Sequence, residues 1–131
     1  MANTIHFPKL ANQYVGVYGT LKSGFSNHSL LGDSPLVDEG WIMGISLYDL
    51  GPFPGATRSA SEQPVFVEVY AVDDDTLAAL DHLEGYNPDS PCSSLYIRQQ
   101  MQLEAGPNCW IYLYNKPIDG YLRLDDGIWT G

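Results

Sequence analysis

The loop that follows the first predicted strand has residue types that could bind an anion. Tyr14–Val17 is a β-branched and aromatic run typical of a strand, and it is followed by Tyr18, Gly19, Thr20 and Leu21. A strand that stops at a glycine leaves backbone N–H groups without ladder partners, and such donors can hold a carboxylate or a developing oxyanion. The alternative is an ordinary tight turn at the end of the strand, in which the backbone amides are hydrogen-bonded to water.

Glu84 is the second residue with a chemical use. At 100° per residue it lies within roughly 40° of Leu80 on a helical wheel, on the side of the apolar stripe. Partial desolvation, together with the negative end of the helix dipole, raises the pKa of a carboxyl group toward the range useful for proton transfer. The alternative is a glutamate that reaches water at the edge of the stripe or pairs with Arg58 or Arg98.

The helix that would carry Glu84 is predicted to begin at Asp73-Asp74-Asp75 and to end at Gly85. Leu77, Leu80 and Leu83 mark its buried stripe. The three aspartates could be mistaken for a metal cluster, but no spaced set of further ligands follows them, which favours a helix cap.

No other set of residues has the spacing of a metal site. His6, His28 and His82 share no metal-ligand spacing with Cys92 and Cys109. His28 follows Asn27, which we interpret as the N-cap of a short helical turn. The sequence therefore predicts no bound metal.

The remaining elements are mostly strands. An irregular lead-in is predicted before Tyr14. Val37–Asp49 is predicted to be one long strand bent at a glycine, followed by a turn at Pro54-Gly55. In Pro64–Val72, valines alternate with Phe66, Glu68 and Tyr70, which is the period-2 pattern of a strand. Leu95–Glu104 and Cys109–Asn115 predict a hairpin that turns at Gly106-Pro107, with one short strand at most beyond it. Strands outnumber helices, so the predicted class is α+β, a small mixed β-barrel with one main helix.

Composition excludes several functional classes. The 131 residues predict a single domain, residues 1–131, and the hydrophobic content of 44% is that of a globular protein. A formal charge of −10 argues against binding to nucleic acid or to an anionic membrane surface. We find no apolar run of membrane-spanning length and no secretory signal, which predicts a cytoplasmic protein. Unpaired Cys92 and Cys109 are therefore favoured, although the two could pair.

Four motifs in their order resemble a known family. They are VYGTLKSGFSNHSLL, LYDLGPFPGA, VEVYAVDDDTLAALDHLEGY and SLYIRQQ, and together they run from about Val15 to Tyr114. On these motifs the chain is similar to the γ-glutamylcyclotransferase-like family, which includes γ-glutamylamine cyclotransferases. The resemblance implies an α+β fold with a β-barrel and a pocket at its mouth.

The resemblance also assigns roles to residues. The Tyr-Gly-Ser/Thr-Leu loop of the family corresponds to residues 18–21, and its catalytic glutamate, in the pattern Leu-Asp-x-Leu/Phe-Glu, corresponds to Glu84. The tyrosine of its Tyr-x-Arg strand corresponds to Tyr96, a further pocket residue. The implied reaction releases 5-oxoproline from a γ-glutamyl amine or peptide, with Glu84 as general acid and base. It requires no metal or organic cofactor.

Two further expectations complete this interpretation. The departing amine would contact the walls contributed by GPFPGA (residues 51–56) and NPDSPCSS (residues 87–94), and its identity is open. Exposed Trp and Tyr residues could support a homodimer. The rival hypothesis is a binding protein that sequesters a small anionic molecule or nucleotide in the same pocket without turnover, because fold alone does not imply catalysis.

Overall fold

Two β-sheets and one α-helix form the part of the chain that the computed structural model describes, residues 13–60 and 63–131. The elements in chain order are β1 (Gln13–Val17), β2 (Leu36–Ile42), β3 (Ile45–Asp49), β4 (Pro54–Arg58), β5 (Val65–Val72), α1 (Asp74–Leu83), β6 (Tyr96–Gln102), β7 (Asn108–Tyr114) and β8 (Leu122–Arg123). Two single 3-10 turns, His28–Leu31 and Pro91–Ser93, lie in the loops. The irregular lead-in predicted before Tyr14 lies outside the described residues except for Gln13, which instead begins β1.

The larger sheet is the centre of the fold. Its strand order is β2-β5-β1-β7-β6, with β1 parallel to β7 and every other pair antiparallel. Side chains alternate between its two faces. Val67 and Ile111 belong to the core shared with the smaller sheet, whereas Val15 and Tyr70 belong to the core shared with α1. The larger sheet therefore lies between the helix and the smaller sheet.

The predicted α+β class is confirmed, but the predicted barrel is not. The smaller sheet has the order β4-β3-β8 and is separate from the larger one. Among the described residues, the strand pairing forms two open sheets and no closed ring. Local alternation identifies strands, but it does not reveal which strands pair, and closure depends on that pairing.

The prediction of one long strand over Val37–Asp49 is wrong. The segment forms β2 and β3, which belong to different sheets. Gly44, between them, has φ +90°, a left-handed conformation in which glycine lacks the steric penalty of other residues. A glycine that was expected to bend one strand instead ends the first and redirects the chain into the second sheet.

The predicted turn at Pro54-Gly55 is also wrong, because both residues lie in β4. Pro54 pairs with Asp49 and begins a strand at the edge of the smaller sheet, a position where proline costs no ladder hydrogen bond. The turn comes earlier. Gly51 has φ +106°, and the N–H of Leu50 donates to the carbonyl of Phe53 over 3.1 Å.

The helix forms as predicted. The Asp73 carboxylate caps it by accepting from the Thr76 N–H over 2.7 Å, and Gly85 follows it with φ +65°. Leu80 is fully buried, but Leu83, the last residue of the predicted stripe, is 37% exposed. No helix in the described residues is long and apolar enough to cross a membrane.

The other predicted strands and the unpaired cysteines agree with the structure. Residues 65–72 form β5, β6 and β7 form the predicted hairpin, and β8 is the short strand beyond it. Cys92 is an exposed free thiol and Cys109 a buried one.

The packing of α1 predicts a contrast between two leucines one helical turn apart. We expect Leu80→Ala to lower the free energy of unfolding by about 2–5 kcal/mol, because it empties a fully buried site. Leu83→Ala makes the same chemical change at an exposed site and should cost less than about 1 kcal/mol. Urea unfolding followed by circular dichroism measures both. Equal losses would contradict the described packing of the helix.

Candidate functional site

A cavity of about 360 Å³ lies where β1 ends. Its wall comes from five separate segments: the end of β1 with the loop after it, the start of β4 with the residues before it, the end of α1 with the residue after it, the start of β6 with the residue before it, and one residue of β7. The lining residues are Gly16, Val17, Tyr18, Gly19, Thr20, Leu21, Ser26, Asn27, Pro52, Phe53, Pro54, Leu83, Glu84, Leu95, Tyr96 and Tyr112. All six residues predicted for the site, namely 18–21, Glu84 and Tyr96, thus line one cavity.

The loop after β1 lines this cavity and contains main-chain donors without a protein acceptor among the described residues. Gly19 packs against the ring of Pro54, and a Cβ at this position would lie 2.6 Å from Pro54 Cγ, so only glycine permits this approach. In the described part of the chain, no protein acceptor receives the N–H groups of Gly19, Thr20 or Leu21. The loop therefore offers a set of unpaired donors, as the sequence predicted.

The cation of the loop is held away from the cavity. Lys22 is buried, and its ammonium donates to the main-chain carbonyl of Trp129 over 2.7 Å, 5.1 Å from the ring centre of Phe25. Burial lowers the pKa of Lys22, and the nearby Glu68 carboxylate opposes that shift. Lys22 does not line the cavity, so among the described residues the positive polarity there comes from N–H groups.

Tyr18 joins three elements around the cavity. Its hydroxyl donates to the carbonyl of Tyr112 over 2.6 Å and accepts from the N–H of Ala56 over 3.1 Å. Burial raises the pKa of Tyr18 well above its usual value, and the charges of Tyr96 and Glu84 add to the shift. Because its hydroxyl already donates one hydrogen bond and accepts another, Tyr18 has its ring and its backbone available to a ligand in the cavity.

Glu84 ends α1 and faces the cavity with a desolvated carboxyl group. Its N–H donates to the carbonyl of Leu80 over 2.9 Å, and burial raises the pKa of its side chain to about 7. Arg98 lies 2.9 Å from Asp81 in an ion pair, and Arg58 donates to Gln99 over 3.1 Å. The structure therefore does not support the alternative in which Glu84 pairs with Arg58 or Arg98.

Three tyrosines line the cavity together with Glu84, namely Tyr18, Tyr96 and Tyr112. Tyr96 donates to the carbonyl of Pro54 over 2.7 Å, and Tyr112 donates to Asp81 over 2.6 Å. Burial is the main cause that raises the pKa of all three phenols, and the negative charge of Glu84 raises each of them further.

A family model agrees with this geometry. The model described as "Gamma-glutamyl cyclotransferase, AIG2-like" matches residues 15–131. The chain belongs to this family. The resemblance stated from the motifs is thus confirmed, and so is the prediction of a cyclotransferase-type enzyme at the level of the family.

Individual relatives cover nearly the whole chain. A Vibrio cholerae protein that carries the γ-glutamylcyclotransferase name is 40% identical over 116 residues, 88% of this chain and 93% of that protein. The γ-L-glutamyl-butirosin B γ-glutamyl cyclotransferase of Niallia circulans is 33% identical over 86% of this chain and 72% of its own length. The names of these cyclotransferases describe γ-glutamyl chemistry.

The fold recurs in solved structures. The solution structure of ytfP from Escherichia coli is 34% identical, with a TM-score of 0.67 over 89% of this chain and 96% of that one. The crystal structure of PH0828 from Pyrococcus horikoshii has a TM-score of 0.70 at 24% identity, over 89% of both chains, and shows the fold alone.

Several wall residues of this cyclotransferase-family cavity were missed from the sequence. Tyr112 reaches the cavity from β7, and no local signal distinguishes it from other strand tyrosines. Phe53 lies within the GPFPGA segment that was expected to form a wall, whereas no residue of the other expected wall, residues 87–94, lines the cavity. Asn27 was interpreted as a helix cap. Its side chain makes no cap hydrogen bond and instead donates from Nδ2 to Thr20 Oγ1 over 2.9 Å.

The described residues contain no cluster of three or more His, Cys, Asp and Glu side chains that could hold a metal ion. Asp73 caps the helix, and His28 Nδ1 lies 2.9 Å from the carbonyl oxygen of Leu21. His6 lies outside the described residues.

The burial of Glu84 predicts an unusual titration. We expect its carboxyl carbon, observed by NMR in protein with 13C-labelled glutamate, to titrate near pH 7, and Glu84→Gln should remove that transition.

The same shift in pKa predicts how stability depends on pH. Below about pH 4.5 the carboxyl group of Glu84 is neutral in both the folded and the unfolded state. As the pH rises toward 7, the unfolded state releases the proton first, so stability falls. Glu84→Gln should therefore gain stability over wild type across this interval, by up to about 3 kcal/mol. A midpoint near pH 4.5 in the NMR titration of the Glu84 carboxyl group would contradict the described environment.

Proposed function

We propose that this protein releases 5-oxoproline from a γ-glutamyl amine or peptide, with Glu84 as the group that moves the proton. One observation carries the proposal. A desolvated carboxyl group without a cationic partner lines the same cavity as the unpaired N–H groups of Gly19, Thr20 and Leu21. A proton acceptor placed opposite a set of anion-binding donors suits acyl transfer.

The reaction is intramolecular. The α-amine nitrogen of the γ-glutamyl group attacks its own γ-carbonyl carbon, a new C–N bond closes the five-membered ring, and the C–N bond to the departing amine breaks. Because nucleophile and electrophile belong to one molecule, the protein mainly has to fix their orientation. The apolar cavity wall around Tyr96 and Phe53 would restrict the conformations of the bound chain.

Glu84 would carry protons from the attacking nitrogen to the departing one. The α-ammonium group loses one proton to become a nucleophile and a second from the ring nitrogen once the new C–N bond has formed, and the departing nitrogen gains both and leaves as an ammonium ion. A carboxyl group with a pKa of about 7 can accept the first proton and donate it in the second step at neutral pH. The negative charge that develops on the γ-carbonyl oxygen, or the substrate α-carboxylate, would be held by the N–H groups of residues 19–21.

The first test replaces the proposed proton carrier. We expect Glu84→Gln to keep the fold and to lower kcat for 5-oxoproline release by about 10²–10⁴-fold, because the amide cannot accept the proton. A panel of γ-glutamyl amines and dipeptides, followed by mass spectrometry of 5-oxoproline, measures the effect. In wild type, kcat/KM should rise with pH through a midpoint near 7, as Glu84 ionises.

Glu104→Gln provides the matched control, since Glu104 is exposed on the hairpin and outside the cavity. It should leave kcat unchanged. Full activity of Glu84→Gln would refute the role of Glu84. No product from wild type across the panel, together with intact ligand bound to the protein, would instead favour the sequestering function.

The second test concerns the departing amine. Phe53, Leu83 and Leu95 give the cavity an apolar wall, and of the described residues that line it only Glu84 is charged. A carboxylate on the departing group would therefore meet no cation and would lie in the field of Glu84. We expect γ-glutamyl-isoamylamine to be turned over with a kcat/KM at least about tenfold higher than γ-glutamyl-leucine, which differs from it by one carboxylate. The opposite preference would contradict this account of the wall.

A further inference from the structure

We propose that Asn27 is a positioning residue that directs the hydroxyl proton of Thr20 into the cavity. The inference rests on the proposed function, because the proton would be donated to the γ-glutamyl substrate. Thr20 would then add a side-chain donor to the main-chain donors of the loop.

Two hydrogen bonds join Asn27 to Thr20. The side-chain Nδ2 donates to Thr20 Oγ1 over 2.9 Å, and the main-chain N–H donates to the Thr20 carbonyl over 2.9 Å. The chain between them bends back at Gly24, where φ is +90°. Both residues are half-buried, and both line the cavity. This double contact fixes the position of the hydroxyl group relative to the loop.

The hydrogen-bonding capacity of a hydroxyl group then determines where its proton points. A threonine hydroxyl has two lone pairs and a single proton, so accepting from Asn27 leaves the proton free to donate elsewhere. In the part of the chain that the structure describes, no protein group accepts it. The Thr20 hydroxyl lies beside the unpaired N–H groups of Gly19 to Leu21, so an anionic group bound there would receive all of these donors.

This donor matters because the wall formed by the described residues contains no cation. Lys22 donates to Trp129, and among residues 13–60 and 63–131 no Lys or Arg side chain lines the cavity. A carboxylate in the cavity must then be held by neutral donors. Each of them contributes to affinity, and one hydrogen bond to a charged group changes affinity by about ten- to a hundredfold.

Asn27→Asp tests the proposal with almost no change of shape. A carboxylate can only accept, so it would take the Thr20 proton and turn it away from the cavity. We expect KM for the best γ-glutamyl amine to rise about tenfold or more, with kcat within about twofold of wild type. Asn108→Asp makes the same change at an exposed position outside the cavity and should leave KM unchanged.

Variants of Thr20 separate this positioning role from a simple effect of charge. Thr20→Val should raise KM as Asn27→Asp does, whereas Thr20→Ser, which keeps the hydroxyl, should keep KM near the wild-type value. The double variant Asn27→Asp/Thr20→Val should raise KM by less than the product of the two single effects, since both remove the same donor. An unchanged KM in Asn27→Asp, a loss shared by Thr20→Ser, or fully multiplicative effects would each overturn the proposal.

A binding measurement distinguishes this inference from the proposed function. Calorimetry with 5-oxoproline, which carries the α-carboxylate, needs no turnover. If wild type releases no 5-oxoproline but binds it, and Asn27→Asp weakens binding about tenfold or more, the catalytic proposal fails while the positioning role stands. If wild type neither turns over substrate nor binds 5-oxoproline, both fail. Thermal unfolding of each variant checks that the fold is kept.

Discussion

The hydroxyl group of Tyr18 connects the two sheets at the cavity. It donates to Tyr112 on β7 and accepts from Ala56 on β4, so one buried atom joins the end of β1 to a strand of each sheet. Next to it, Gly19 lies against Pro54, whose carbonyl accepts from Tyr96. Because buried polar groups are costly when unpaired, these contacts fix the start of β4 against the larger sheet. The cavity keeps its shape because segments distant in sequence share these hydrogen bonds.

The electrostatics of this cavity depend on how the neighbouring cations are paired. Arg98 on β6 forms an ion pair with Asp81 and lies 4.3 Å from the ring centre of Trp110, and Lys22 donates to Trp129. Among the described residues Glu84 forms no ion pair, and burial raises the pKa of its carboxyl group to about 7. In the same cavity, the N–H groups of Gly19, Thr20 and Leu21, which have no acceptor among the described residues, provide positive polarity that does not titrate. The proposed reaction requires this combination of a titrating carboxyl group and fixed dipoles.

The sequence predicted best what local chemistry determines. The capping aspartates, the helix stop at Gly85, the alternation of β5 and the hairpin all depend on neighbouring residues, and they were confirmed. Errors arose where distant pairing decides. Gly44 separates strands of two sheets, the barrel does not close, and Pro54 begins an edge strand where a turn was expected. For the same reason the six cavity residues were found by their motifs, whereas Tyr112, which tertiary pairing alone brings to the wall, was missed.

The buried contact between Lys22 and Trp129 connects the loop after β1 to a segment far along the chain. The ammonium group of the loop donates to a main-chain oxygen 107 residues away in sequence. Displacement of that oxygen would leave a cation in an apolar setting beside Phe25, and the loop would have to rearrange to hydrate it. The conformation of a loop that lines the cavity therefore depends on a backbone segment that does not line it.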